Sequence, residues 1–340
     1  MNKFVRIALL FAFCHSMAWG QSMHFSQFYN APLLINPANA ALSPEYDYRV
    51  GVNYRNQWAT LPVPYSTTDV FGDIKIGANR NVDHPNWLGL GIALFNDQAG
   101  SGNLSLMQYQ GALAYHIHIG PSSMLSFGGS AAYIQRSVDY DKLSFDVQWD
   151  GHKFDGNLPN KEQIGIMKTN YSTVNLGANF AIFPSNALYM KVGVGVANVN
   201  QPVETFYSST NQIGLRPTLN VDVLVKPNFS VIVNPSLFAE MQKGALEVVA
   251  GSLSYFDLTG SKRASDVSQL ILGVFYRWND AVIGTAGYQY NGLRIMASYD
   301  ATVSALAPYN TSYGALEFSL IYGSPFGKNK GTTMYACPRF

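Results

Sequence analysis

The chain has 340 residues, of which 13% are charged and 14% are aromatic, and its formal net charge is +1. Roughly 25% of residues are charged in an average soluble protein, so this composition is unusually poor in charge. The near-zero net charge provides no basic field for nucleic acid, and no basic nucleic-acid-binding module is present. The 21 tyrosines and 20 phenylalanines instead suit the aromatic girdles of a membrane barrel.

Residues 1–20 are predicted to be a secretory signal peptide. Lys3 and Arg6 precede an apolar run, and the small residues Ala18 and Gly20 occupy the two positions that a signal peptidase inspects before the expected cleavage site. Gln21 would then begin the mature chain, which would retain Cys337 alone and could form no intramolecular disulfide. No other stretch approaches about 18 consecutive apolar residues, so the sequence predicts no conventional membrane-spanning helix.

From residue 46 to residue 323 the chain is a series of stretches in which apolar and polar residues alternate. In residues 188–196, one face carries Leu, Met and three valines, and the other carries Tyr, Lys and two glycines. A strand rises about 3.3 Å per residue, so roughly ten tilted residues cross a bilayer. Apolar residues facing lipid and small or polar residues facing a lumen predict an all-β fold, a transmembrane antiparallel β-barrel. The fourteen predicted strands are 46–57, 66–76, 87–98, 103–118, 123–138, 172–183, 188–199, 218–226, 229–240, 245–256, 268–279, 281–290, 293–302 and 311–323.

The connections between these stretches predict an orientation. Asn291-Gly292 is typical of a tight type I′ hairpin turn, because both residues accept a positive φ. The two longest connections, 139–171 and 200–217, are both odd-numbered and would therefore lie on the same, extracellular side. The connection 257–267 is long but even-numbered. Either the strand count is wrong there or a periplasmic loop is enlarged.

Two segments flank the strands. Residues 21–45 contain Asn36-Pro37-Ala38-Asn39, which is too irregular for a strand, and we expect a plug-like segment inside or below the barrel. The better last-strand pattern ends near residue 323, and Pro338 makes the extreme end a poor strand. The predicted organisation is a signal peptide at 1–20, a plug-like segment at 21–45, a barrel at 46–323 and a periplasmic tail at 324–340.

Several short motifs occur in order along nearly the whole predicted mature chain, and together they resemble one family. The motifs are Phe25-Ser26-Gln27-Phe28, Asn36-Pro37-Ala38, Tyr54-Arg55-Asn56-Gln57-Trp58, Pro64-Tyr65-Ser66-Thr67, Asn96-Asp97-Gln98-Ala99-Gly100-Ser101-Gly102, Ala114-Tyr115-His116, Gln135-Arg136-Ser137-Val138-Asp139, Lys142-Leu143-Ser144-Phe145-Asp146, Phe154-Asp155, Tyr276-Arg277-Trp278-Asn279-Asp280-Ala281 and Ser298-Tyr299-Asp300. In these motifs the chain resembles the PorP/SprF family of outer-membrane proteins of the type IX secretion system of Bacteroidota. Ala41-Leu42 departs from the glycine often found there, which affects the local turn.

The resemblance implies a barrel that works with secreted proteins. Members of the family serve export, surface attachment or gliding adhesins, and many bind a secreted protein through its C-terminal sorting domain. One branch instead connects to periplasmic components of the secretion apparatus, and the resemblance does not distinguish the two.

The 139–171 connection is the largest predicted extracellular feature and the main candidate contact for a partner. Exposed loop aromatics often anchor interfaces. The acidic residues of this loop could also bind calcium, although a solvated acidic loop with interleaved lysines is the simpler interpretation. The candidate partner-contact residues of the two long connections are Phe145, Trp149, Phe154, Asp155, Tyr171, Phe206 and Tyr207.

Other residues have two possible roles each. Arg55 and Trp58 could contact a partner or the N-terminal segment, or Trp58 could lie at the membrane interface while Arg55 reaches headgroups or a lumenal acid. His116 and His118 share a strand face as two metal ligands could, but a zinc site needs further ligands. Lumenal or interfacial histidines are therefore the preferred interpretation.

The sequence shows no nucleophile elbow or zinc-hydrolase motif, and we expect no enzyme activity, cofactor or metal. The predicted function is a non-enzymatic outer-membrane barrel that binds or anchors a secreted protein or links to the secretion apparatus. The alternative is a transporter of hydrophobic small molecules with the N-terminal segment as a hatch. A continuous tunnel would favour transport, and a plugged lumen with an aromatic outer rim would favour protein binding.

Overall fold

The computed structural model describes most of the predicted barrel and much of the predicted plug-like segment. Within this part of the chain, no helix combines the length and apolar character needed to cross a membrane. The predicted signal peptide and most of the predicted tail lie outside the described residues. The described residues are 25–43, 46–59, 64–78, 84–143, 145–156, 158, 166–206, 209–228, 230–258, 268–305, 307–310 and 312–326.

Fourteen antiparallel strands form one closed barrel, as predicted. Each strand pairs with its neighbours in chain order, and β1 closes the sheet against β16 with Tyr48 opposite Ser324. Closure leaves no open sheet edge, which a lipid environment requires. The barrel strands are β1 (Tyr48–Gln57), β2 (Tyr65–Ile76), β3 (Trp87–Ala99), β4 (Leu104–Gly120), β5 (Ser123–Asp139), β6 (Ile166–Ser185), β7 (Leu188–Ala197), β10 (Arg216–Asn228), β11 (Val231–Gln242), β12 (Ala245–Asp257), β13 (Ser268–Arg277), β14 (Ala281–Tyr290), β15 (Leu293–Thr302) and β16 (Tyr313–Ser324).

The two faces of the wall follow the alternation read from the sequence. On β7, Tyr189, Gly193 and Gly195 are buried, whereas Val192 and Val194 on the opposite face are exposed. The same alternation recurs on the other strands and gives the barrel an apolar outer surface. Lipid-facing and lumen-facing positions are therefore fixed by the two-residue period of the strand.

The two ends of the barrel differ. We call the end at which β1 begins and β16 finishes the terminal end, and the opposite end the loop end. Of the two long connections, the loop end carries the described residues 140–143, 145–156 and 158 of the first. It also carries a hairpin of the second, formed by β8 (Val203–Phe206) and β9 (Ser209–Gln212), which the sequence did not predict. Strand β12 ends and β13 begins at the terminal end, so the strand count is correct at this point.

The turn chemistry was predicted correctly at Asn291-Gly292, which joins β14 to β15. Both residues have positive φ, at 46° and 81°. A type I′ turn needs positive φ at both central positions and matches the twist of the two strands.

Residues 25–43, which we call the plug, run along the lumen. The segment contains two 3₁₀ turns, Phe28–Asn30 and Pro37–Asn39, on either side of the single-turn helix α1 (Pro32–Ile35). A second single-turn helix, α2 (Ala307–Asn310), precedes β16. Prolines begin α1 and the second 3₁₀ turn, where a missing N–H costs nothing.

Small residues in the wall make room for the plug. A side chain at Gly89, Gly128 or Gly177 would overlap Ala40, Ala38 or Asn36, respectively. The alternating glycines are therefore packing positions, which allow the plug backbone to approach the sheet closely.

Candidate functional site

The plug begins in a buried cluster of charged side chains near the loop end. The Ser26 hydroxyl donates to the Asp300 carboxylate at 2.6 Å and accepts from Arg55 at 2.8 Å and from Arg277 at 2.6 Å. The backbone N–H groups of Ser26 and Gln27 donate to Glu317 at 2.6 and 2.9 Å. These contacts tie the start of the plug to four barrel strands.

The charges in this cluster compensate one another. Arg55 donates to both Asp300 and Glu317 and is only 2% exposed. Arg277 pairs with Asp300 at 3.0 Å and with Glu247 at 3.3 Å. Buried charges are tolerated when they are paired and hydrogen-bonded. Removing one member of this cluster should therefore destabilise the fold far more than removing one member of an exposed ion pair.

The middle of the plug is fixed by Asn36. Its amide nitrogen donates to the Ala178 and Val194 carbonyls and to Asn179 Oδ1, and its own Oδ1 accepts from the Ala38 N–H. One asparagine thus joins the plug to β6 and β7 and caps the second 3₁₀ turn. Pro37 follows it at the first position of that turn and is buried.

The far part of the plug reaches the terminal end. His116 Nε2 lies 2.9 Å from the Ala40 carbonyl and Nδ1 lies 2.8 Å from Ser126 Oγ, so both ring nitrogens have protein partners. Trp87 Nε1 donates to the Ala41 carbonyl at 2.9 Å. His116 is therefore a lumenal residue that holds the plug, and the described residues contain no group of three or more His, Cys, Asp or Glu suited to a metal ion.

A cavity of about 180 Å³ remains between the plug and the wall towards the terminal end. Tyr29, Tyr189, Tyr255 and Leu224 are among its lining residues, with the Lys191–Asp222 ion pair at 2.9 Å. Pockets for drug-sized ligands usually measure about 300–1,000 Å³. This space is smaller than such a pocket.

Within the first long connection, residues 145–156 form an ordered turn at the loop end. Trp149 and Phe154 face each other across a β-bridge, and the Asp155 N–H donates to the Gln148 carbonyl at 2.9 Å. Asp150 Oδ1 accepts the N–H groups of His152 and Lys153 at 2.7 Å each, and these bonds lower the pKa of the Asp150 carboxyl. This is an Asx-type turn, which orders a loop without a hydrophobic core.

Two large aromatic side chains of this turn face solvent. Trp149 is 57% exposed and Phe154 is 47% exposed. Residues paired across antiparallel strands place their side chains on one face, so the two rings form a common apolar surface. We call Trp149 and Phe154 the aromatic pair. Phe145 and Asp155 lie beside it and are partly buried.

The remaining candidate partner residues lie elsewhere. Tyr171 is in β6 and not in the loop, because β6 begins at Ile166 and is longer than predicted. Phe206 ends β8, and Tyr207 lies outside the described residues. The hairpin is held to the wall by Glu204, which is 3% exposed and accepts from Arg136 at 3.0 Å.

The family motifs divide between the lumen and the rim. Phe25 packs edge-to-face on Phe95 beneath the charged cluster. Tyr54 is 40% exposed on the outer face, Trp58 packs against Tyr65 at the loop end, and Asp97 accepts from Thr67 at 2.6 Å. Gln57 accepts a weak bond from Arg55 at 3.4 Å.

The motif residues that meet at the plug are separated widely in sequence. Ser26, Arg55, Arg277 and Asp300 contact one another although up to 274 positions separate them. All four residues lie in the motifs read from the sequence, but only Arg55 was assigned a possible individual role, as a contact for the N-terminal segment or a lumenal acid. The available signal was charge at the lumen-facing positions of predicted strands, where a charged side chain needs a partner.

A family model described as "Type IX secretion system membrane protein PorP/SprF" matches residues 18–322. The chain belongs to the PorP/SprF family. The match spans the plug and nearly the whole barrel, and it confirms the resemblance read from the motifs. A comparison with curated proteins gave no match.

Solved structures support the same architecture for this PorP/SprF barrel. It is similar to the CymD monoaromatic hydrocarbon channel, with a TM-score of 0.51 and 9% identity over 91% of this chain and 96% of that one. It is also similar to a Pseudomonas aeruginosa FadL homologue, with a TM-score of 0.50 and 10% identity over 86% and 94% of the two chains. At such identities the likeness shows the fold alone. Family and fold together indicate an outer-membrane protein associated with type IX secretion.

Proposed function

We propose that this barrel is a non-enzymatic outer-membrane carrier that binds a secreted protein, one with a C-terminal sorting domain or a gliding adhesin, at its loop end. The observation that carries the proposal is the aromatic pair, Trp149 and Phe154, displayed on an ordered turn above a lumen filled by the plug. In this proposal the loop end is extracellular, residues 1–20 are the signal peptide, and the tail after residue 323 is periplasmic.

The plug supports binding over transport. Its contacts extend from the charged cluster near the loop end to His116 near the terminal end. A transporter would need a path past these contacts, and the cavity of about 180 Å³ between the plug and the wall is smaller than a usual ligand pocket. Binding at the rim needs no such path and uses a fixed surface.

The aromatic pair has the character of an interface anchor. Aromatic residues are enriched at the centres of protein interfaces, and truncation of an anchor commonly costs about 2 kcal/mol or more of binding free energy. The turn around the pair is preorganised by Asp150 and Gln148, so less conformational entropy is lost on binding.

The test uses protein purified from gently solubilised native outer membranes, with partners identified by mass spectrometry. Trp149→Ser with Phe154→Ser should reduce a co-purifying secreted protein about 30-fold or more, which corresponds to roughly 2 kcal/mol. His152→Ser with Lys153→Ser changes exposed residues of the same turn and should leave capture unchanged.

Three results would redirect the proposal. Undiminished capture by the aromatic variant, or by a chain lacking residues 145–160, contradicts binding through this turn. Co-purification of periplasmic envelope components would instead assign the barrel to the secretion apparatus. A barrel that carries only lipid or hydrophobic solute would favour the transporter.

A further inference from the structure

One group of buried oxygen atoms lies between the plug and the wall, separate from the charged cluster. Asn53 on β1 stands opposite Asp69 on β2 and opposite Ser319 on β16, so the three side chains share one level of the lumen. Asn30 of the plug lies against them, because its carbonyl accepts from Asn53 Nδ2 at 2.9 Å.

These four residues are almost completely buried, with exposures of 2% for Asn53, 0% for Asp69, 3% for Ser319 and 1% for Asn30. Asp69 Oδ2 accepts from Asn53 Nδ2 at 2.9 Å. The Oδ1 atoms of Asp69, Asn53 and Asn30 and the hydroxyl of Ser319 have no hydrogen-bond partner. Buried polar atoms are normally satisfied, so four together point to a bound species.

The side-chain amides cannot remove this excess of acceptors by rotation. Asn53 Nδ2 already donates to Asp69 and to the Asn30 carbonyl, and Asn30 Nδ2 donates to Gln27 Oε1 at 2.9 Å. Turning either amide would place its oxygen against another oxygen. The unpartnered amide atoms are therefore acceptors.

The charge environment of the Asp69 carboxylate differs from that of other carboxylates in the barrel wall. Within the part of the chain that the structure describes, Asp69 forms no ion pair with Lys, Arg or His, in contrast to Asp73, Asp222 and Asp300. On β3 it stands opposite Phe95. A buried carboxylate in such surroundings requires charge compensation.

We propose that Asp69, Asn53, Asn30 and Ser319 bind a small monovalent cation, of which Na⁺ is the natural candidate. Carboxylate, amide and hydroxyl oxygens are the ligands of hard cations. One carboxylate among neutral oxygens balances one positive charge, whereas a divalent ion would leave an excess charge buried. Because Asn30 belongs to the plug and the other residues to the wall, the cation joins the two.

The test is thermal unfolding of the purified full chain in mild detergent, with NaCl exchanged for N-methyl-D-glucamine chloride at constant ionic strength. The unfolding temperature of the wild-type protein should rise with Na⁺ concentration, because a ligand that binds only the folded state stabilises it. Asp69→Asn keeps the shape and removes the charge, and it should abolish the Na⁺ response. Asp97→Asn, whose carboxylate has Thr67 as a partner, should retain it.

The dependence of the wild-type unfolding temperature on Na⁺ tests the proposal even if a variant fails to fold. Equal unfolding temperatures in the two salts would overturn the proposal and indicate a protonated Asp69 instead. A response to Ca²⁺ without one to Na⁺ would overturn the monovalent assignment. Ser319→Ala provides a milder change and should weaken the dependence on Na⁺ without eliminating the barrel.

Discussion

Replacing Arg55 with methionine should strongly destabilise the barrel. Methionine preserves much of the side-chain volume but removes the charge and every donated hydrogen bond. Arg55 is 2% exposed and donates to Ser26, Asp300 and Glu317. Asp300 would keep Arg277 as a partner at 3.0 Å, whereas the Glu317 carboxylate would keep, within the described residues, the N–H groups of Ser26 and Gln27 as hydrogen-bond donors.

The magnitude follows from the uncompensated charge on Glu317. Removing one partner of a buried ion pair costs about 3–5 kcal/mol, because the other charge stays buried. An exposed pair such as Asp139–Lys142, in which the lysine side chain is 56% exposed, contributes only about 0.2–1 kcal/mol. Arg55→Met should therefore lower the free energy of unfolding by about 3–5 kcal/mol, and Lys142→Gln should change it little.

The assay is reversible urea unfolding in phospholipid vesicles, followed by tryptophan fluorescence. Adding Glu317→Gln to Arg55→Met removes the uncompensated charge. The loss of unfolding free energy in the double variant should therefore be at least about 1 kcal/mol smaller than the sum of the losses in the two single variants. A loss below about 1 kcal/mol for Arg55→Met, or additive single effects, would refute the argument that charge compensation holds the plug in place.

Two further predictions test how the plug is seated. Ala41 has a φ of 52°, a conformation that costs a non-glycine residue about 1 kcal/mol or more. Ala41→Gly should therefore raise the unfolding free energy by about 0.5–1 kcal/mol in the same assay. Ala40→Gly, at a φ of −61°, should lower the unfolding free energy, and the reverse order of the two variants would contradict the strain argument. Gly177→Ala places a methyl group onto Asn36 and should increase protease cleavage of the plug. Gly111→Ala, with open space around it, should not increase this cleavage. Equal cleavage of the two variants would show that the contact between Gly177 and Asn36 does not hold the plug in place.

The sequence alone determined the barrel. A strand has a two-residue side-chain period, so alternation along residues 188–196 fixed which side chains face lipid, and Asn291-Gly292 fixed a hairpin through its tolerance of positive φ. Both signals depend only on residues that are adjacent in sequence, so they can be recognised without knowledge of the tertiary contacts. Local signals were weaker beyond the membrane, which is why the early start of β6 and the β8–β9 hairpin were missed.

Only the tertiary structure decided what fills the lumen. Ser26, Arg277 and Asp300 are far apart in sequence, and closure of β1 on β16 brings them together around Arg55. A strand pattern states that a residue faces inward but not which residue of another element it meets. Pairing depends on the register of fourteen strands and on the path of the plug. Burial then makes those pairings energetically decisive, because an unpaired charge is costly where water is excluded.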